Sequence, residues 1–370
     1  MIAGHLDKKT VDGWPGGRFR RAYAIAAEGV AARAFPGCAF GVWANGQVQL
    51  QDALGHFTYE LGAPPVTPQT AFDIASLTKV LATTMAAMLL VQRRQLEIDT
   101  PVGALVSGFV AGREPGDPAR LVTLRHLLAH NSGLPGYVEF FRTASTPDSL
   151  LSACFRLNLE AVPETRAEYS DPGFILLGKA LEALIGESLE AWSEREIFQP
   201  LGLTATCFRP KVELRPMIPP TEDDLAFRRR RIQGEVQDEN AWVLGGVAGH
   251  AGLFSNVPDL LRFSAAILDA GKAADSLLKP ETIRLFSERQ LPAGSSQAIG
   301  WDTPSENSSS GRYFSQRTIG HLAYSGCSLW IDLESAVAIV LLTNRTWPDR
   351  ASELIRQVRP AFHDAVREAL

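Results

Sequence analysis

Strand-like sequence lies toward the two ends of this chain, and helix-like sequence lies between. Cys38 to Val42 and Gln47 to Leu54 flank an Asn45-Gly46 pair. They read as a β-hairpin, because Asn-Gly supplies the positive-φ positions that a tight hairpin turn needs. Far along the chain, Leu329 to Asp332 and Ala336 to Asn344 (AVAIVLLTN) read as two adjacent strands. Helices are expected over residues 18–34, 77–96, 123–130, 173–191, 258–270 and 350–368 from apolar periodicity and flanking start and stop signals. The pattern suits an α/β domain assembled from both ends, residues 18–75 and 296–370, with a mainly helical domain, 76–295, inserted between them. Residues 210–240 read as a Pro-rich and then charged loop. Its Arg228 to Arg231 run is expected to be a solvated surface.

The 370 residues suffice for one large domain or two intertwined ones. A net charge of −5 gives no electrostatic reason to expect nucleic acid or an anionic membrane as partner. Cys38, Cys154, Cys207 and Cys327 are far apart and form no C-x-x-C pair, so free thiols are expected. The apolar run Val80 to Val91 is shorter than the ~20 residues a bilayer demands. Met1 to Gly17 has no apolar centre and does not read as an export signal. A cytoplasmic location is the expectation for the sequence as it stands, and a periplasmic or secreted one if an export signal preceded it. Oligomeric state is not legible.

Ser76-Leu77-Thr78-Lys79 opens the long helix. At that spacing the two side chains share a helix face, so the Lys amine can reach the Ser hydroxyl. A serine hydroxyl is a weak nucleophile until a neighbour takes its proton. The helix N-terminus adds partial positive charge and free N–H donors. Ser276-Leu277-Leu278-Lys279 repeats the pattern, but Pro280 disfavours a helical Lys279, and it reads as a chance match. Tyr169-Ser170-Asp171 admits two readings. Ser170 or Asp171 caps the next helix with Pro172 in its first turn, or Tyr169 is a second proton-transfer group beside Ser76. At His321 to Gly326 (HLAYSG) the small Ala323 leaves room for a substrate along a strand edge; otherwise the segment is an ordinary strand. His126 and His130 form an H-x-x-x-H, but Leu127 stands where the zinc peptidase motif has Glu, so no metal is expected. Gly245 to Gly252 lacks the Gly-Lys-Ser/Thr of a phosphate loop, and no G-x-S-x-G elbow occurs.

Ser-x-x-Lys at 76, Tyr-x-Asp at 169 and His-x-Ala at 321 follow the order of the three elements of serine β-lactamases and penicillin-binding proteins. Phe72 to Lys79 (FDIASLTK) resembles the nucleophile segment of their class C β-lactamase-related branch. Leu121 to Gly136 (LVTLRHLLAHNSGLPG), Gly245 to Phe263 and Gly320 to Asp332 resemble further segments of that branch. The resemblance implies an α/β plus all-α, β-lactamase-like serine hydrolase fold. In it an antiparallel sheet flanked by helices meets an inserted helical domain, with the active site between them. It implies Ser76 as the nucleophile of an acyl-enzyme, Lys79 as the group easing its deprotonation, and Tyr169 as the proton shuttle. The backbone N–H groups of Ser76 and Tyr324 would form the oxyanion hole. No metal or organic cofactor is implied.

Three departures bear on the substrate. The second element ends in Asp171 rather than Asn, and the third reads His321-Leu322-Ala323 rather than Lys-Thr-Gly or His-Thr-Gly. Leu322 removes a hydroxyl, His321 offers at most a partial charge near neutral pH, and Asp171 adds a negative charge. A substrate carboxylate desolvated there without a paired donor costs several kcal/mol. The expected activity is therefore an esterase on short-chain carboxylic esters, or a neutral amidase. The alternatives are a D-alanyl-D-alanine carboxypeptidase or weak class C-like β-lactamase, and a non-catalytic acyl- or penicillin-binding module. Asp171, His321, Ala323 and His250 are the candidate substrate-binding residues, and the partner is a small ester or amide. Ser76→Ala should abolish ester hydrolysis, by at least ~10³ in kcat, with the fold intact, whereas Ser276→Ala should be silent. Steady-state kinetics and circular dichroism of the two variants check this, and the reverse outcome would displace Ser76.

Overall fold

The computed structural model describes residues 17–306 and 308–370. The stretch read above for an export signal lies, but for Gly17, outside them. The expected hairpin is present as β1 (Gly37–Ala44) and β2 (Gln47–Gly55), turned by Asn45 and Gly46 at φ 54° and 74°. Strands β3 (Thr318–Leu322), β4 (Ser328–Asp332) and β5 (Val337–Thr343) complete a five-stranded sheet of order β2-β1-β5-β4-β3. Its pairings are antiparallel. The hairpin joins the distant strands through β1 and β5, with Phe40 opposite Leu341 and Val42 opposite Ile339.

Alternation along these strands sends side chains into two cores. Cys38, Phe40, Val42, Ile339, Leu341 and Trp330 pack with α1 (Arg20–Ala31) and α5 (Ile355–Glu368). Their partners on α5 recur at helical spacing: Ile355, Val358, Phe362 and Val366. Ala39, Val340, Leu342, Leu329 and Ile331 face the other way, into a core shared with the helical part of the chain. The helix α4 (Val257–Leu268), from the middle of the sequence, lies on that face. The approach is close: a Cβ at Gly41 would stand 2.5 Å from Val257 Cγ1.

The long helix runs Ala75–Gln92, with Lys79–Thr84 wound as a π-helix and buried throughout. By length and composition it passes for a membrane span, but 83% of it is buried in the protein, as befits a core helix. Thr123 caps the short α2 (Leu124–Leu128). Ser170 caps α3 (Asp171–Ile185), which stops at Gly186 in a left-handed conformation rather than continuing to residue 191. Lys279 is extended ahead of Pro280, so the second Ser-x-x-Lys makes no helical pair. The four cysteines are free thiols.

The Arg228 to Arg231 run is only partly the solvated surface expected. The Arg228 side chain is 2% exposed, 2.8 Å from Asp224, and donates to the carbonyls of Val236 and Gln237. A short hairpin, Glu222–Asp224 against Arg230–Ile232, folds its acidic partner back over it.

The Gly245–Gly252 loop is held against α3 by absent side chains. A Cβ on Gly249 would stand 2.2 Å from the Phe174 carbonyl and 3.0 Å from Gly178 Cα. Thr83 Oγ1 donates to the Gly249 carbonyl at 2.6 Å. Gly249→Ala should therefore lower stability by ~1–3 kcal/mol, as overpacking of a close contact does. Gly116→Ala, where a Cβ meets nothing within 4 Å, should stay within about 0.5 kcal/mol. Urea unfolding of both variants checks the contrast.

Candidate active site

The site is built where Phe72–Asp73 pairs with Leu253–Ser255 and the long helix begins. Asp73 accepts from the N–H of Ala75 at 2.8 Å and of Gln237 at 2.7 Å. Those bonds hold Ala75 at φ 43°, an uncommon conformation for a residue with a Cβ, and present Ser76 to a cleft of about 970 Å³.

Lys79 is fully buried. Its Nζ donates to Ser76 Oγ at 3.2 Å, to Asp171 Oδ1 at 2.6 Å and to the His250 carbonyl at 3.2 Å. The three donors of an ammonium are thereby filled. It also lies over the Tyr169 ring, 4.7 Å from the centroid. Burial pulls its pKa down, but Asp171 and Tyr169 outweigh that and leave it raised, so Lys79 is an ammonium at neutral pH. Burial, opposed by the adjoining Lys79, leaves the Tyr169 pKa raised, and the resting residue is a phenol. The residue is 40% exposed as part of the cleft wall.

The Ser170 cap is present, and it leaves Tyr169 beside Lys79. Ser170 Oγ accepts from Gly173 N at 3.0 Å, and Tyr169, one residue earlier, points to Ser76 and Lys79. His130 fixes this geometry, a role the sequence reading missed. Its carbonyl accepts from Glu168 N at 2.7 Å and its Nδ1 from Ser170 N at 2.9 Å, while its ring stacks on Tyr169 with centroids 4.6 Å apart. Burial drives its pKa well below the ordinary value, so it is neutral. His126 instead caps α2 through Nδ1 and meets Glu164 at 3.3 Å through Nε2. The two histidines do not converge, and among the described residues no group of His, Cys, Asp and Glu is placed to hold a metal.

Two expectations are corrected. Asp171 lines the cleft, but its charge is met by Lys79 and does not stand free against a substrate anion. The His250 side chain is 1% exposed and turned to Asp238, Nε2 to Oδ1 2.8 Å, so it is the His250 carbonyl that reaches the site, through Lys79. His321, Leu322 and Ala323 line the cleft as expected. Burial pushes the His321 pKa down to about 3, so it carries no partial charge at neutral pH. Its Nδ1 donates to the Leu322 carbonyl at 2.7 Å, which leaves Nε2 as an acceptor. Tyr324 follows in a turn closed by Ala323 N to Cys327 O at 2.8 Å and Gly326 N to Ala323 O at 3.0 Å. Among the described residues no hydrogen bond occupies the Tyr324 N–H, and Ser76 N–H lies in a first helical turn, where amides lack intrahelical partners.

The sequence reading also missed Gln297, Asp302, Arg350, Arg356 and Arg359 in the cleft wall. They come from segments without a motif, so no local signal marked them.

Known proteins are similar to this chain in sequence and in fold. Over 349 residues, 85% of this chain and 78% of the relative, the sequence is 29% identical to an N-acetylmuramyl-L-alanine amidase of Bacillus subtilis strain 168. It is 30% identical over 314 residues, 77% of this chain and 72% of the relative, to a protein of Escherichia coli O157:H7 provisionally named D-alanyl-D-alanine carboxypeptidase. The fold matches EstCE1, a hydrolase with promiscuous acyltransferase activity, at a TM-score of 0.77 and 21% identity, over 95% of this chain and 99% of that one. With the Beta-lactamase family's sequence profile matched over residues 23–361, the chain belongs to the Beta-lactamase family, whose members are serine hydrolases.

Proposed function

We propose that Ser76 is the nucleophile of an acyl-enzyme hydrolase acting on short-chain carboxylic esters. The observation that carries this reading is the buried Lys79 ammonium held between Ser76 Oγ and Asp171, beside the Tyr169 hydroxyl. Ser76 Oγ attacks the ester carbonyl while its proton passes to Tyr169 in the phenolate form, which the Lys79 ammonium stabilises. The oxyanion is received by the Ser76 and Tyr324 amides. Tyr169 then returns the proton to the leaving oxygen. Water attacks the acyl-enzyme with Tyr169 as base, and Ser76 leaves with the proton restored.

The third element supports uncharged substrates at its corner of the cleft. A neutral His321 with an acceptor Nε2, followed by Leu322, offers no cation and no hydroxyl to a carboxylate there. A second reading, hydrolysis of a cell-wall amide, draws support from the amidase named among the relatives. The cleft size, large for a short ester, agrees with it.

The comparison of p-nitrophenyl acetate with nitrocefin tests the first reading. Wild-type protein should favour the ester by kcat/KM, which reports transition-state recognition from the free enzyme. His321→Lys with Leu322→Thr should shift preference toward the β-lactam by roughly tenfold or more, as a restored charged hydrogen bond would. Equal turnover of both compounds by wild-type protein contradicts the reading.

Because Tyr169 rests as a phenol, kcat/KM should rise with pH on the alkaline side as the phenolate fraction grows. Asp171 raises the Tyr169 pKa by its negative charge. Asp171→Asn removes that charge and should move the alkaline limb to lower pH. A limb that stays in place or moves upward would exclude Tyr169 as the titrating base.

A further inference from the structure

The cleft wall beside Tyr324 carries guanidinium groups that the steps above do not use. Arg356 and Arg359 both line the cleft, from successive turns of α5. Arg359 is 7% exposed. Its one hydrogen bond among the described residues is a long one, 3.4 Å to the Cys327 carbonyl, and its buried Nε has no partner. No carboxylate pairs with it among the described residues. Burial pulls its pKa down to about 10, and Arg345 and Arg356 add repulsion. Arg345 also pairs with carbonyls rather than carboxylates. Its Nε donates to Tyr324 O at 2.6 Å, and its guanidinium stacks on the Tyr324 ring at 4.3 Å. Arg350, on the same wall, differs: Glu222 and Glu239 each stand 2.7 Å from its Nη2. Among the described residues Arg356 pairs only with Glu353, at 3.0 Å and with both side chains mostly exposed, a kind of pair that holds weakly.

We propose that Arg356 and Arg359 form a subsite for a carboxylate carried by the substrate at a distance from its reacting carbonyl. This deepens the reading of the cleft as an acyl-hydrolase site and rests on it. A buried guanidinium lacking an anion is costly, and a carboxylate from the substrate supplies the missing partner. The planar guanidinium fork matches the two oxygens of a carboxylate. A doubly charged phosphate fits less well, because Glu168, Asp238, Glu239 and Asp302 line the same cleft. The His321 corner is neutral, so the substrate charge is received on the α5 side of the Tyr324 turn instead.

Matched esters test the subsite: p-nitrophenyl hydrogen adipate against p-nitrophenyl hexanoate, and 3-carboxyphenyl hexanoate against phenyl hexanoate. The carboxylate is thereby offered on either side of the scissile bond. In wild-type protein the acid-to-neutral ratio of kcat/KM should exceed that of Arg356→Glu by roughly tenfold or more in at least one pair. It should also fall with added salt. Arg359→Lys, which keeps the charge and loses the fork, should lower the same ratio less. Ratios unmoved in both variants overturn the proposal. A second arm needs no turnover. Adipate should raise the melting temperature of wild-type protein, and the rise should be lost in Arg356→Glu. No rise in wild-type protein, or an equal rise with inorganic phosphate, overturns the carboxylate assignment. If no ester is hydrolysed while the adipate effect holds, the esterase reading fails and the subsite stands. Ester turnover with no adipate effect and unmoved ratios sinks the subsite alone.

Discussion

A buried ammonium organises the site. Lys79 has no exposed surface, and removing an ammonium from water costs several kcal/mol unless an anion and further acceptors replace the solvent. Its acceptors come from separate parts of the chain: Ser76 one helical turn back, Asp171 in the first turn of α3, and the His250 carbonyl in the Gly-rich loop. Each must arrive for the charge to be tolerated. The start of α3 is fixed by the Ser170 cap and by Asp171 N donating to Gly136 O at 2.9 Å. The Gly-rich loop is fixed by the close approach of Gly249 to α3. Asp171 also lies at a helix N-terminus, where its negative charge is favoured. The geometry around Lys79 and the packing of the helical region are thus one constraint.

Much of this was legible because it is local. Asn45-Gly46 specifies its own turn, the β5 run is rich in apolar and β-branched residues, and Ser-x-x-Lys needs only a helix to bring its two side chains together. The family resemblance added the order of the three elements, which spacing alone does not supply. Partners chosen at long range were not legible. Asp171 reads as a free charge until the fold sets Lys79, ninety-two positions away, at 2.6 Å from it. His250 reads as a candidate ligand until Asp238 claims its ring. Arg228 reads as solvated until Asp224 and two carbonyls enclose it.

The Tyr169 segment shows why a structural and a chemical reading of one motif need not compete. The cap uses the Ser170 hydroxyl, and the proposed proton shuttle is the residue before it. A helix start fixes backbone direction sharply, so a side chain one residue ahead of the cap is well placed. His130 then locks the strand of chain on both sides of Tyr169, through Glu168 N and Ser170 N. Its own φ of 54° is uncommon for a residue with a side chain. A neutral imidazole is what this task needs, since Nδ1 must keep its lone pair to accept from Ser170 N, and burial, then Lys79, disfavour the charged form.

The distribution of cations around the cleft follows from which of them already have anions. Lys79 is matched by Asp171, Arg350 by Glu222 and Glu239, and Arg228 by Asp224. Arg345 and Arg359 have only carbonyl partners among the described residues, and both bond to the turn that carries Tyr324. The His321 imidazole itself is neutral through burial and the nearby Lys79, whose own charge is met by Asp171. Among the arginines of the cleft wall, Arg359 is the one with no carboxylate partner among the described residues, since Arg350 and Arg356 are paired. In the proposed subsite, the packing of the C-terminal helix sets where Arg356 and Arg359 stand in the cleft wall, so substrate choice would follow from helix packing as much as from the residues around Ser76.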